Sequence, residues 1–265
     1  MKIISLIQAR RGSSRLPDKV LKEVLGKPIL LHMIERVQAS KLIGELIVAT
    51  TNEAEDELIE KLCIQNNIKC FKGHSTDLLD RHYQAALFYE ADAIVKIPSD
   101  CPLIDSKIID EVLQYYISHS NDFDYVSNLH PATWPDGNDV EIMSFNALER
   151  SWKEASRDFE REHTTPYIWE NPEKFKIGSV IWNAGLDYST SHRWTLDYAE
   201  DFEFIKKVYE ELYPINPHFT LEDILRLIEQ KSGIAEINKT HAGEYWYKNH
   251  WDELKNIDDK WKKKG

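Results

Sequence analysis

Between residues 2 and 97 the apolar positions keep two alternating rhythms. KIISLIQA (residues 2–9) is a near-continuous apolar run of strand length, whereas PILLHMIERVQAS (28–40) sets Ile29, Leu30, Met33, Ile34 and Val37 at helical spacing behind a helix-starting Pro28. The exchange then repeats. ELIVATT (45–51), IKCF (68–71) and DAIVKI (92–97) predict strands, with helices over AEDELIEKLCIQNN (54–67) and LLDRHYQAALFYEA (78–91) between them. Such a βαβαβαβ order needs right-handed crossovers. It predicts an α/β fold: a Rossmann-like, mostly parallel sheet with helices on both faces.

Beyond residue 105 the rhythm is less regular. DSKIIDEVLQYYISHS (105–120) predicts an amphipathic helix capped by Asp105, DYVSN (124–128) and DVEIMS (139–144) predict strands, and residues 145–155 predict a helix. FKIGSVIWN (175–183) predicts a further strand, followed by helices over 198–212 and 221–230. HPATWPDGND (130–139) reads as a hairpin or an insertion rather than a domain boundary. WDELKNIDDKWKKKG (251–265) predicts a surface helix with a frayed end and no catalytic role.

Composition then narrows the possibilities. At 265 residues and 42% hydrophobic content, with 8 Trp and 12 Tyr, the chain can fill a substantial core. No apolar run reaches the ~20 residues that cross a bilayer, so no membrane association is expected and the protein is expected to be cytoplasmic. Cys63, Cys70 and Cys101 lack zinc-site or disulfide-scaffold spacing and are expected to be reduced. The net charge of -12 argues against a broad nucleic-acid-binding face.

Against that acidity, QARRGSSRLPDKVL (8–21) gathers Arg10, Arg11, Arg15 and Lys19 around Gly12-Ser13-Ser14. The segment follows the first strand, at the carboxyl edge where open parallel sheets bind ligands. Gly12 permits close backbone approach, successive N–H groups form an anion nest, and Ser13 adds a donor. Arg10, Arg15 and Lys19 supply charge-assisted bonds to phosphate. A solvated basic turn is the bland alternative. Neither a Walker A loop nor a GxGxxG turn is present. Asp100 ends a strand at the same edge, and a carboxylate facing a cation-lined phosphate pocket makes sense with Mg²⁺ between them. Asp197, in RWTLDYAEDF (193–202), offers the second carboxylate, although a helix-end charge would serve there too.

These segments resemble cytidylyltransferases that activate acidic sugars, of the acylneuraminate and 3-deoxy-manno-octulosonate type. The resemblance is nearest to their spore-coat polysaccharide biosynthesis subgroup. It is carried by QARRGSSRLPDKVL, LGKPILLHMIERV, IVATT, DLLDRHYQAA, SDCPLID, DGNDVEIMSFNALE, REHTTPYI and RWTLDYAEDF. It implies a glycosyltransferase-A-like nucleotidyltransferase fold, CTP as donor, Mg²⁺ as cofactor and a homodimer. By motif position Arg10, Ser13, Arg15 and Lys19 would hold the triphosphate, and Asp100 with Asp197 would hold the metal. Asp18 and Ser99 stand where the subgroup usually has glycine. Gln8 and Ala9 leave the strand beside the loop, and Arg81 starts a helix that lies near the nucleotide in similar enzymes.

The acceptor, a sugar acid or sugar phosphate, falls to DGNDVEIM and REHTTPYI. Asp139 and Glu141 alternate along an expected strand and so share a face; His163 behind Arg161 suits a carboxylate or phosphate, and Arg193 borders Asp197. The domain is expected over 1–235, with an acceptor and dimerisation segment at about 125–182 and a tail from 236. A glycosyltransferase, a non-catalytic nucleotide-binding module and an interaction protein remain the alternatives; the first has less use for three cations on the first loop.

Overall fold

Strand β1 (Ile3–Gln8) turns Ile4 and Leu6 to one face of the sheet and Ile7 to the other, the two-residue period of an extended chain. The computed structural model describes residues 1–243 and 250–254. After β1 come a ribbon of β2 (Glu23–Val24) and β3 (Lys27–Pro28), then α1 (Ile29–Gln38), β4 (Glu45–Thr51), α2 (Glu57–Gln65) and β5 (Lys69–Gly73). They are followed by α3 (Leu78–Phe88), β6 (Ala93–Pro98), α4 (Ser106–Ser118), β7 (Tyr125–Ser127), β8 (Glu141–Ser144) and α5 (Phe145–Glu154). The last described elements include α6 (Asp158–His163), α7 (Pro166–Trp169), β9 (Ile177–Ser179), α8 (Ala199–Leu212) and α9 (Leu221–Gln230).

The large sheet has seven strands in the order β5-β4-β1-β6-β8-β7-β9. Pairing is parallel from β5 to β6 and between β7 and β9, while β8 runs against both of its neighbours. Helices cover both faces, as expected. Ile29, Met33 and Val37 of α1 and Ile109 and Leu113 of α4 join Ile7, Val48 and Val95 in one core, with Phe204 and Val208 of α8. Leu79 and Ala86 of α3, Leu148 of α5 and Ile168 of α7 pack on Ile4, Leu6 and Ile94 from the other side. Asp105 caps α4 by accepting from Lys107 N at 2.8 Å, and its second oxygen accepts from Leu221 N at 2.6 Å. One buried carboxylate thus fixes the starts of two helices.

The HPATWPDGND segment connects the antiparallel pair β7 and β8, and is therefore the long loop of a hairpin. Asn128 closes it, donating to Asn138 O at 2.7 Å and accepting from Val140 N at 2.9 Å. Gly137, at φ 104°, lies against the 194–195 backbone so closely that a Cβ would come within 2.7 Å of the Trp194 carbonyl carbon. Only glycine fits both constraints. One expectation needs correction here. Asp139 precedes β8 rather than lying in it, so strand alternation does not align it with Glu141. The chain after 235 remains packed on the domain, since buried Asn238 donates to Arg193 O at 2.9 Å and Asp201 Oδ1 at 3.0 Å. Of the expected C-terminal helix, Trp251–Glu253 forms a 3-10 turn, and residues 255–265 lie outside the described residues. No helix among the described residues is long and apolar enough to cross a membrane, and all three cysteines are free.

Candidate active site

The chain leaves β1 toward β4 on one side and returns as β6 on the other, so the crevice beyond Gln8 and its register partner Pro98 is a topological switch point. Loop 9–18, the turn after β6, the β7–β8 hairpin loop and residues 193–198 enclose a cleft of about 640 Å³ there. Gln8, Ala9, Arg10, Gly12, Ser13, Arg15, Lys19, Arg81, Asp100, Asp139, Glu141, His163, Arg193 and Asp197 all line it. Residues read from six separate stretches of sequence converge on one cavity.

The loop after β1 is held from outside. Arg11 points away from the cleft, donating to Asp18 Oδ1 at 2.6 Å and to Glu55 O at 3.0 Å, while its N–H reaches Asp56 at 2.8 Å. Buried Leu16 and Val20 anchor the far end. Arg10 and Arg15 stay exposed at the cleft. Asp18, in the place where the similar subgroup has glycine, adopts a left-handed φ of 57°. Its carboxylate compensates by gripping Arg11. Asp18→Ala should therefore be less stable than Asp18→Gly by about 1 kcal/mol, because only the alanine keeps a Cβ in the left-handed region. Urea denaturation of the two variants checks this.

Lys19 and the two expected carboxylates meet directly. Its ammonium lies 3.0 Å from Asp197 Oδ1 and 3.6 Å from Asp100 Oδ2, and donates to Leu196 O at 2.8 Å. Asp197 also faces Arg15 at 3.1 Å and Arg193 at 3.5 Å. Burial alone would lower the Lys19 pKa, but Asp100 and Asp197 outweigh it and hold it above the ordinary lysine value. Burial likewise favours the neutral form of Asp197, yet Lys19, Arg15 and Arg193 keep its carboxyl below the usual range. The backbone fixes this geometry: Leu196 N donates to Asp100 O at 2.8 Å, and Thr195 Oγ1 to the same oxygen at 3.1 Å. Arg193 is spent mainly on Asp201, at 2.9 and 3.0 Å, and so braces the 193–201 turn.

Two carboxylate oxygens already converge on one cation position, and Mg²⁺ needs one or two carboxylates plus phosphate and water. The donor set fits it. Among the described residues no group of three or more His, Cys, Asp or Glu gathers as a self-sufficient metal cage.

Arg81 borders the cleft in a different manner from that expected. Its guanidinium is buried and donates to His74 O at 2.9 and 2.7 Å and to Ser75 O at 2.9 Å, so it braces the 74–76 loop that forms the cleft wall. Burial, helped by nearby Arg10, pulls its pKa to about 10. Glu141, at the opposite end, is buried in an ion pair with Lys96 of β6 and accepts from Tyr125 OH at 2.6 Å. Burial would raise its carboxyl; Lys96, Tyr125 and Thr165 reverse that and hold it below the ordinary value. Asp139 goes the other way, to about 7, through burial and the charge of Asp100. Half-buried His163 is pulled to about 3 by burial, His250 and Lys96, and is neutral near pH 7.

Lys96, Asp136 and His250 line the same cleft and escaped the sequence reading. A lone lysine inside the strand AIVKIP was the available signal for Lys96. Removing one partner of such a buried pair is expensive, so Lys96→Met should cost about 3 kcal/mol in urea unfolding. Because the folded pKa of Glu141 is depressed, the stability it contributes is present above the unfolded value of about 4.3 and is lost as pH falls below it. Glu141→Gln should accordingly flatten the acid side of the stability profile.

Comparison with known proteins places these features in a lineage. A cytidylyltransferase family model matches residues 4–240. A cytidylyltransferase of solved structure from Leptospira borgpetersenii is 35% identical and superposes with a TM-score of 0.83, over 89% of this chain and 97% of that one. The spore coat polysaccharide biosynthesis protein SpsF of Bacillus subtilis is 27% identical across 88% of this chain and 96% of its own. A 3-deoxy-manno-octulosonate cytidylyltransferase of Geobacter metallireducens is 35% identical over 113 residues, 43% of this chain and 44% of that protein. With the family match spanning both the cation loop and the paired carboxylates at the switch point, the chain belongs to the cytidylyltransferase family and is a nucleotidyltransferase enzyme.

Proposed function

We propose that the enzyme transfers a cytidylyl group from CTP to an acidic sugar or a sugar phosphate, releasing pyrophosphate, in the assembly of a surface polysaccharide or related glycan. The observation that carries this reading is the convergence of Arg10, Arg15 and Lys19 with Asp100 and Asp197 on one cleft whose far end is lined by Asp139, Glu141 and His163. The relatives acting in spore coat polysaccharide synthesis and on 3-deoxy-manno-octulosonate support the acceptor class.

In this reading an acceptor oxygen attacks the α-phosphorus in line. The new P–O bond forms as the bond to the β-phosphate bridging oxygen breaks, and the electron pair leaves with pyrophosphate. Arg10, Arg15 and Lys19 bind the β- and γ-phosphates and neutralise the charge that grows on the leaving group. Asp100 and Asp197 would hold Mg²⁺, which when bound would supply positive charge to polarise the phosphate oxygens. Gln8 and Ala9 border the base. A sugar-acid hydroxyl must give up its proton, whereas a phosphate monoester arrives as an anion and needs no base.

The test is pyrophosphate release from CTP, UTP, ATP and GTP against a panel of sugar acids and sugar phosphates. Turnover is expected with CTP and should vanish with a chelator and return with Mg²⁺. Turnover that survives the chelator contradicts the metal assignment. We also propose a homodimer joined through the 125–182 segment, favoured by exposed Ile181 next to Trp182 in the chain. Sedimentation at micromolar concentration should give a two-chain species, and a fully active monomer contradicts it.

A further inference from the structure

The family match ends at residue 240, yet a segment beyond it reaches the cleft. His250 lines the acceptor end, with its ring centroid 4.5 Å from that of His163 and nearly edge-on to it. Phe159 of α6 supports both rings, at 5.1 Å from His163 and 5.6 Å from His250. Two polar contacts fix the segment. Arg157 Nη1 donates to Glu253 O at 2.7 Å, and Arg157 is itself anchored on buried Glu160 at 2.9 Å and on buried Glu170. The Glu253 carboxylate lies 2.8 Å from His250 Nδ1, which sets the orientation of the ring.

An imidazole held by a carboxylate at Nδ1 keeps a proton there and presents its other nitrogen as a hydrogen-bonding group. At this end of the cleft the neighbours are His163 and the Lys96–Glu141 pair. The α-helix that carries His163 has no cation of its own facing the cavity, because Arg161 is taken up by Asp77 and by the Trp152 carbonyl. A bound oxyanion there would draw its donors from lysine and imidazole side chains.

We infer that His250 is a specificity-determining residue of the acceptor site, binding the carboxylate or phosphate oxyanion of the acceptor together with His163. Residues 250–253 are then part of the site rather than an appendage. This rests on the reading that the α6 end of the cleft takes the acceptor. It makes acceptor choice depend on residues outside the part of the chain shared with the family.

The experiment uses the full-length protein labelled with ¹⁵N-histidine, its His250 ring signals assigned through His250→Gln. With Mg²⁺ and CTP bound, 3-deoxy-manno-octulosonate is titrated as a carboxylate probe and glucose 1-phosphate as a phosphate probe. One of them should shift the His250 and His163 ring signals, distinguishing the two oxyanions, while CTP alone leaves His250 in place. On the acceptor the wild type turns over, His250→Ala should raise KM about tenfold and change the KM for CTP by less than about twofold, the signature of a lost ground-state contact. Ring signals that neither probe moves, or an unchanged acceptor KM in His250→Ala, overturn the assignment. A lowered melting temperature with unchanged KM would make His250 a packing residue and equally overturn it. A wild type that releases no pyrophosphate with any nucleotide instead brings down the reading on which this one rests, a distinct outcome.

Discussion

Asp100→Asn and Asp197→Asn should each lower turnover on the order of a thousandfold, or about 4 kcal/mol of transition-state stabilisation. The amide keeps the size of the carboxylate and loses its charge. Both carboxylates point at one cation position, now marked by the Lys19 ammonium at 3.6 and 3.0 Å, so losing either halves the anionic donor set. The two variants should differ in stability. Asp197 faces Lys19, Arg15 and Arg193 together, so its replacement removes a carboxylate shared by three cations and leaves Arg15 beside Lys19, while Arg193 keeps Asp201 and Lys19 keeps Asp100. Among the described residues Asp100 has a single ion pair, and its carbonyl is engaged by backbone, so Asp100→Asn should melt close to wild type. Steady-state turnover combined with thermal melts separates these effects. Asp100→Asn with near-normal turnover would remove the carboxylate pair from the chemistry.

Lys19→Ala should cost about a hundredfold in turnover, roughly 3 kcal/mol, and Arg15→Ala should fall in the same range. Their side chains differ in exposure, 13% for Lys19 and 45% for Arg15, which separates chemistry from folding. Lys19→Ala strips the half-buried carboxylates of their cation and should lower stability as well. Arg15 makes a half-exposed pair worth little to the fold, so its variant should melt like wild type while still losing turnover. Lys19→Arg should not rescue fully: a planar fork replaces a point charge between two carboxylates. Normal turnover in both alanine variants would dismiss the phosphate cradle.

The fold was legible because each strand of the large sheet and each long helix through β6 carries its own period and its own stop signal. The cation loop was legible because four basic residues around Gly12 have no place in a buried turn of an acidic chain. What could not be seen depends on tertiary contact. Lys96 reads as an ordinary strand residue until β8 brings Glu141 beside it. Arg81 looks like a surface helix residue, and only the path of the 74–76 loop makes it a buried brace. Asp139 reads as a strand residue, yet β8 begins two residues later, because Asn128 holds the preceding chain in a loop that no local propensity encodes. Asp201 appeared as one more acid in a helix's first turn; in the fold it accepts from Asp197 N and Tyr198 N, both at 3.0 Å, and fixes Arg193. That single buried carboxylate sets the turn on which Asp197 stands.

The central claim is that this cleft moves a nucleotidyl group from CTP rather than a sugar from a nucleotide-sugar. It is tested most directly by the mass of the product formed from CTP and the preferred acceptor. The account predicts acceptor plus cytidine monophosphate less one water, with one pyrophosphate per product and no product from Asp100→Asn. Free CMP with an unaltered acceptor, or a glycosidic product formed only from a nucleotide-sugar, would contradict it.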